Sequence, residues 1–220
     1  MNNVHQFTPK GAFPSLPYVL TTPTNWDPAT EQLPMIVFLH GAGERGEDAA
    51  PLLSFYGIPR LFTEDPDYHG QRVITLSPLC PKAHIWHHLT LPLRELIDTV
   101  AKDCCVDRDR ITITGCSMGG FGTWEMICTY PELFAAAAPI CGGGLTWRAG
   151  ALKSLPLRVF HGGVDSVVPL TYSELMTEAV NRVGGSATLT VFPGVDHDSW
   201  IPTYRDTDVI DWLIAQKRSV

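Results

Sequence analysis

Short apolar runs rich in β-branched residues recur along the chain, and segments with helical periodicity separate them. The clearest runs lie at residues 35–39, 73–76, 111–114, 157–160 and 187–192. Nearly continuous apolar runs are typical of strands that are covered on both faces, and strands that alternate with helices favour a parallel sheet. The sequence therefore predicts an α/β fold with a mostly parallel central sheet and helices on both faces.

Weaker patterns complete this prediction. Residues 135–140 form a softer strand signal, and residues 18–21 read as an edge strand. Apolar residues at three- and four-residue spacing predict helices near 93–100, 118–130 and 203–216, and a further helix begins after Pro169. Thr171 and Glu174 there have the spacing of a capping box.

The 220 residues fit a single domain, 1–220, because no linker divides them. Residues 1–15 are polar and interrupted by prolines, so we interpret them as a flexible arm. The longest excursion between predicted elements, 142–156, is too short for a cap domain over the sheet.

Charge and composition exclude several classes of partner. The chain has 16 basic and 23 acidic residues, a net charge of −7, which disfavours a nucleic-acid ligand. We also find no apolar stretch long enough to span a membrane and no secretory signal, so we predict a cytoplasmic protein. The six cysteines lack metal-type spacing and predict free thiols, and a homo-oligomer stays open.

The strongest chemical signal is the glycine-flanked serine of Gly115-Cys116-Ser117-Met118-Gly119. It fits the G-x-S-x-G turn that holds a nucleophilic serine between a strand and a helix. The strand 111–114 runs directly into it, and a helical pattern follows. We therefore predict Ser117 as a nucleophile; the alternative is a glycine-rich turn with an incidental serine.

A serine nucleophile needs a base and an acid that orients the base. His197 and Asp165 each follow a predicted strand, and Ser117, Asp165, His197 is the chain order that this type of sheet uses. His161 competes as the base, but no loop acid at a strand end lies between it and Ser117, so we interpret it as a structural histidine. Asp196 and Asp198 compete as the acid, but they adjoin the histidine and are poorly placed to reach its Nδ1.

Charge that develops on a carbonyl oxygen during attack needs preformed hydrogen-bond donors. The N–H of Met118 follows the nucleophile at a helix start, and His40-Gly41-Ala42-Gly43 follows a strand with small residues. We predict the backbone N–H groups of Ala42 and Met118 as the oxyanion hole.

Three tryptophans in loops near strand ends, Trp86, Trp147 and Trp200, are candidates for the walls of a substrate pocket, with ordinary loop packing as the alternative. The histidines at 84, 87 and 88 lack the acidic partner and helical spacing of zinc motifs. We therefore expect no metal and no cofactor.

Together these motifs resemble the α/β-hydrolase superfamily of serine hydrolases. Three segments, 40–48, 115–124 and 197–200, look like a branch that includes predicted peptidases and phospholipase/carboxylesterase-type enzymes, related to feruloyl esterases and polyhydroxybutyrate depolymerases. The resemblance implies the α/β-hydrolase fold, a Ser-His-Asp triad and no metal. Asp196 departs from it, because such enzymes often have glycine before the histidine.

The function that these residues favour is hydrolysis of carboxylic esters of small or bulky-alcohol substrates through an acyl-enzyme. Without a cap domain, we expect the site to be open to solvent. Two alternatives remain at this point. A serine peptidase would use the same machinery on amides, and a noncatalytic member would use the fold only as a binding scaffold.

Overall fold

A computed structural model describes residues 2–218 of the chain, and its eight strands pair into one open sheet. The strands are β1 Asn2–Phe7, β2 Leu16–Thr21, β3 Leu33–Leu39, β4 Ile74–Pro78, β5 Val106–Cys116, β6 Ala136–Ile140, β7 Pro156–Gly162 and β8 Ser186–Phe192. Their order in the sheet is β1-β2-β4-β3-β5-β6-β7-β8. The first two pairings, β1 with β2 and β2 with β4, are antiparallel, and the rest are parallel.

Helices cover both faces of this sheet. The α-helices are α1 Ile58–Glu64, α2 Thr90–Asp103, α3 Met118–Thr129, α4 Thr171–Arg182, α5 Trp200–Asp206 and α6 Val209–Ala215. Apolar side chains of α2, α3 and α4 share one buried cluster, whereas those of α1, α5 and α6 share another. The prediction of a mostly parallel sheet between two helical layers is confirmed.

Strand β3 shows why the apolar runs were continuous. Met35, Val37 and Leu39 pack into the cluster under α2, α3 and α4, whereas Ile36 and Phe38 pack into the opposite cluster. Successive side chains of a strand point to opposite faces, and both faces are dry at this strand. Removing each such side chain from water contributes about 1.5–3 kcal/mol, so the run defines the centre of the sheet.

The flexible-arm interpretation of residues 1–15 does not fit residues 2–7, which form the edge strand β1. Val4 pairs with Val19, and the ring of His5 stacks on Tyr18 at 5.1 Å between ring centroids. Strand β2 is therefore the second strand of the sheet and not an edge. Backbone pairing with β2 holds this segment in place, although its own sequence has little apolar character.

Two helix predictions need correction. The pattern at 203–216 predicted one helix, but Thr207 is extended and separates α5 from α6; its hydroxyl accepts the N–H of Val209 at 3.2 Å. The capping box at Thr171 does not form, because Leu170 occupies the N-cap position and no side chain caps α4.

The segment between β6 and β7, where a cap domain would be inserted, holds within the described chain a short 3₁₀ helix, Thr146–Leu152. All six cysteines are free thiols, as predicted. Among residues 2–218, none of the helices combines the length and apolar character that a bilayer crossing requires.

Candidate active site

Ser117 lies on the tight turn between β5, which ends at Cys116, and α3, which begins at Met118. Its φ of 56° and ψ of −121° are rare for a residue with a side chain, and such backbone strain costs on the order of 1–3 kcal/mol. The N–H of Ser117 donates to the carbonyl of Ile140 at 3.0 Å and to Sγ of Cys141 at 3.2 Å. The turn thus presents the hydroxyl at the carboxyl edge of the sheet.

Two glycines let α3 approach β3 closely enough to make this turn. A Cβ at Gly115 would lie 2.6 Å from the carbonyl oxygen of Leu39, and a Cβ at Gly119 would lie 1.8 Å from the same oxygen. Both distances are far shorter than any real contact. The glycines of the motif are therefore required by backbone packing.

We expect Gly119→Ala to lower the free energy of unfolding by more than about 4 kcal/mol or to prevent folding, because the new methyl group meets backbone that cannot move aside. Urea unfolding checks the prediction. Gly150→Ala is the matched control, since a Cβ at Gly150 meets nothing within 4 Å. Equal stability of the two variants would contradict this account of the turn.

His197 and Asp165 complete a chain of hydrogen bonds that begins at Ser117. Nε2 of His197 lies 2.8 Å from Oγ of Ser117, and its Nδ1 lies 2.9 Å from Oδ2 of Asp165. The backbone N–H groups of Val167 and Val168 donate to Oδ1 of the same carboxylate at 2.9 and 2.8 Å. Burial alone would raise the pKa of the Asp165 carboxyl, but its hydrogen bonds outweigh burial and hold the pKa below its usual value.

The alternative candidates for the base and the acid do not bond to Ser117 or replace Asp165. His161 is fully buried and its ring does not contact Ser117; it bonds to a hydroxyl and a carbonyl behind Asp165. The carboxylate of Asp196 accepts the N–H and the hydroxyl of Ser166, so it joins the loop that carries Asp165 to the loop that carries His197. Asp198 is exposed. The structure therefore brings together the three residues that the sequence singled out; of their competitors, His161 lies beside Asp165 but not Ser117, and Asp196 bonds to Ser166.

The loop after β3 lies directly against Ser117. A Cβ at Gly41 would be 3.7 Å from Cβ of Ser117, and the short 3₁₀ helix Ala42–Glu44 follows. The first N–H groups of a helix have no partner within the helix, and both Ala42 and Met118 occupy such first positions. These N–H groups are thus candidate donors on either side of the serine.

His40 fixes the peptide that carries the first of these donors, a role that the sequence did not reveal. Its Nδ1 donates to the carbonyl of Gly41 at 2.6 Å, while its Nε2 accepts the N–H of Cys80 at 2.9 Å, which defines the tautomer. The C=O and N–H of a trans peptide point in opposite directions, so anchoring the Gly41 carbonyl also orients the N–H of Ala42. The side chain of Arg45 adds a bond from Nε to the Ala42 carbonyl at 3.0 Å.

The burial of His40 predicts an acid-sensitive fold. Burial, reinforced by the charge of Arg45, lowers the pKa of His40 to about 4, against the hydrogen bond to Gly41 that opposes the shift. The unfolded chain, with a histidine pKa of about 6.5, then binds more protons between those values. We expect the free energy of unfolding to fall as pH drops through this window, by about 3 kcal/mol in all.

Urea unfolding at about pH 7 and about pH 4.5 measures this slope. His40→Asn keeps a donor for the Gly41 carbonyl but does not titrate, so its slope should be shallower than that of the wild type. Identical slopes would show that His40 is not the acid-sensitive group.

The prediction that Trp86 lines a substrate pocket is wrong. Its side chain is fully buried, with Nε1 donating to the carbonyl of His40 at 2.9 Å. A Cβ at Gly122 would lie 2.6 Å from Trp86, so the indole packs where α3 lacks a side chain. Trp86 therefore stabilises the loop after β3 through its bond to His40, and its buried side chain cannot contact a substrate.

The other two tryptophans are accessible. Trp200 lies beside His197, with its ring edge-on to the imidazole at 5.7 Å, and it stacks on Phe55 at 6.1 Å between centroids. Trp147 is 78% exposed on the 3₁₀ helix between β6 and β7, and its predicted contact with substrate stays a prediction.

A surface cavity of about 630 Å³ adjoins the loop after β3. Its lining includes loop residues 43–48 together with Leu52, Phe55 and Lys82. Phe55, one of its lining residues, stacks on Trp200, whose ring contacts that of His197, so the cavity lies near Ser117. It offers room for a substituent of a bound substrate.

One group within the described chain, Cys141, Asp165 and His197, brings three possible metal-donor atoms within 4.8 Å of one another. The imidazole and carboxylate already bond to each other, and burial raises the pKa of the Cys141 thiol to about 12. A protonated thiol is a poor metal ligand, so this arrangement favours acid–base chemistry over metal binding.

Comparison with known proteins gives one family and several relatives. The profile of the phospholipase/carboxylesterase family matches residues 82–208. This chain is 42% identical to poly(3-hydroxyalkanoate) depolymerase C of Paucimonas lemoignei over 85 residues, which are 39% of its length. The chain spans 20% of the length of that relative.

Two solved structures extend the similarity to the entire fold. A thermostable esterase is 34% identical, with a TM-score of 0.88 over 99% of this chain and 63% of its own. The feruloyl esterase module from Clostridium thermocellum, in a mutant complexed with sinapinate, is 14% identical, with a TM-score of 0.77 over 100% of this chain and 90% of its own. The second likeness concerns the fold alone.

Proposed function

Because the chain belongs to the phospholipase/carboxylesterase family of α/β-hydrolases, we propose that it hydrolyses carboxylic esters with Ser117 as nucleophile. The observation that carries this proposal is the continuous hydrogen-bond chain from Ser117 through His197 to Asp165. A serine that sits on a strained turn and bonds to an oriented imidazole is the arrangement that acyl transfer requires.

In the proposed reaction, Oγ of Ser117 attacks the ester carbonyl carbon while Nε2 of His197 takes its proton. The carbonyl oxygen becomes an oxyanion, which the N–H groups of Ala42 and Met118 stabilise; each such donor is worth about 3–4 kcal/mol of barrier. When the intermediate collapses, His197 returns the proton to the departing alcohol. Water, activated by the same imidazole, then hydrolyses the acyl-enzyme. Asp165 holds the ring and stabilises its charge throughout.

Esters suit this site better than peptides. An amide resists attack more strongly than an ester and needs its leaving nitrogen protonated, and the open site offers few groups to position an extended peptide. The cavity beside the loop after β3 and the ring of Trp200 would receive the acyl or alcohol group. The intact hydrogen-bond chain argues against a purely noncatalytic scaffold. The small-molecule ester substrate and the cytoplasmic location both stay predictions.

A chromogenic short-acyl ester and a fluorophosphonate probe test the proposal. We expect turnover with an initial burst of the alcohol product, the kinetic signature of an acyl-enzyme, and covalent labelling of the peptide that contains Ser117. A peptide anilide with the same acyl group should react far more slowly. Labelling of a different serine, or no turnover of any ester in a panel of varied acyl length and aryl character, would refute the assignment.

A further inference from the structure

A second histidine besides His197 contacts Asp165. His161 is the penultimate residue of β7, and its side chain is fully buried. Its Nε2 lies 2.9 Å from the carbonyl oxygen of Val168 and 3.2 Å from Oδ2 of Asp165. The same Oδ2 lies 2.9 Å from Nδ1 of His197, so one carboxylate oxygen is between two imidazoles. The reaction proposed above does not use His161.

The contacts of the His161 ring show which nitrogen carries a proton. Nε2 faces two oxygens that can only accept hydrogen bonds, the Val168 carbonyl and the ionised carboxylate, so Nε2 must be protonated. On the other side of the ring, Nδ1 lies 2.7 Å from the hydroxyl of Ser173, which in turn lies 3.0 Å from the carbonyl of Gly142. The Nε2–H group therefore donates to the Val168 carbonyl and lies beside Oδ2 of Asp165.

We propose that His161 is a positioning residue for Asp165, which holds the carboxylate in place for His197. This inference rests on the proposed function. His161 makes two contacts that support this role. Its Nε2–H donates to the carbonyl of Val168 and so stabilises the turn whose backbone N–H groups bond to Oδ1 of Asp165. The same Nε2 lies 3.2 Å from Oδ2. Oδ1 thus has the two backbone donors of the turn, and Oδ2 has the imidazole of His197 and the nearby Nε2 of His161, contacts that oppose rotation of the carboxylate.

Other ionisable groups near this pair are few, and none is altered by a change at position 161. The thiol of Cys141 approaches from the end of β6, and Asp196 and Asp198 flank His197 on its own loop. The hydroxyl of Ser117 faces Nε2 of the base. A change in pH dependence on replacing His161 would thus come from residue 161 itself.

Two substitutions separate the contact with Asp165 from the contact with Ser173. The amide nitrogen of glutamine reaches as far along the side chain as Nε2 of histidine, so His161→Gln can keep the N–H that faces Asp165 and Val168. Asparagine reaches only as far as Nδ1, so His161→Asn can keep the Ser173 contact but loses the one to Asp165. Ser173→Ala is the matched control, because it removes the partner of Nδ1 and leaves Nε2 unchanged.

We expect His161→Asn to lower kcat on a chromogenic ester by about 10- to 100-fold, because the Val168 carbonyl loses its donor and Oδ2 of Asp165 loses the N–H beside it. His161→Gln and Ser173→Ala should each lose less than about 5-fold, well under the loss expected for His161→Asn. The acid limb of the kcat/KM profile should also move to higher pH in His161→Asn. Without the positive end of Nε2–H, the carboxylate attracts the proton on His197 more strongly, and the free base is lost at higher pH.

Equal losses in His161→Asn and His161→Gln, or an acid limb that does not move in His161→Asn, would overturn the positioning role. Urea unfolding of each variant shows whether the protein is folded, and the glutamine variant keeps the test valid if the asparagine variant is not. Failure of the proposed function would look different: the wild type itself would show neither ester turnover nor labelling of Ser117. A wild type that is active with indifferent variants at 161 refutes this inference alone.

Discussion

Replacing Ser117 with alanine is expected to lower kcat for ester hydrolysis by about a million-fold, the loss typical of removing the nucleophile from a working Ser-His-Asp site. The substitution removes only the hydroxyl group, and His197 would then have no serine proton to accept. The activity that remains, about 10³- to 10⁴-fold over water, would come from binding and the oxyanion donors acting on a water molecule. Steady-state assay with a chromogenic ester, at enzyme concentrations high enough to see this remainder, measures the effect.

Ser186→Ala is the control for this prediction. Ser186 is exposed at the start of β8, and the same single oxygen is lost there without contact with the site. It should keep wild-type kcat and wild-type labelling by the fluorophosphonate, whereas Ser117→Ala should show no labelling. If Ser117→Ala retained more than about 1% of wild-type turnover, another group would have to be the nucleophile. Without the hydroxyl of Ser117, the remaining imidazole and oxyanion donors could not support that much activity.

The parts of the fold that sequence predicted well are those where burial acts on both faces of an element. Strand β3 is apolar along its length because the side chains of Leu33 and of residues 35–39 each pack into one of two buried clusters. Strand β1 lies at the sheet edge, where pairing with β2 supplies its stability and its own residues need not be apolar. Its polar sequence therefore gave no signal.

The residues of the candidate site also fall into a group that the sequence predicts and a group that it does not. Ser117, Asp165 and His197 could be found because each follows a strand, and parallel strands end at one edge of the sheet. The roles of His40 and Trp86 could not, because they depend on which backbone groups face the rings in three dimensions. Gly122 was the available signal for Trp86: a glycine inside a helix indicates that a neighbouring group packs closely against it. Thr207 and Asp208 likewise have the residue types of a helix start, which marked the break between α5 and α6.

Asp165→Asn should lower kcat by about 10⁴-fold while leaving the fold intact, the size of effect known for this change in Ser-His-Asp enzymes. The reason lies in the donors around the carboxylate. The N–H groups of Val167 and Val168 require an acceptor at Oδ1, so the amide of asparagine must turn its NH₂ toward the position of Oδ2. There it faces Nδ1 of His197, which must then accept rather than donate. The ring proton moves to Nε2, and the imidazole can no longer take the proton of Ser117.

The same substitution at a neighbouring acid separates orientation from charge. Asp198→Asn removes one negative charge near the base, but this exposed side chain does not bond to the ring, so we expect kcat to change by less than about 3-fold, as for other exposed charges. The activity of Asp165→Asn should recover in part at high pH, where hydroxide can take the proton of Ser117 in place of the imidazole. A loss in Asp198→Asn as large as that in Asp165→Asn would mean that the summed negative charge, and not the bond to Nδ1, supports the base; the donors packed around Asp165 would then have no catalytic reason to be there.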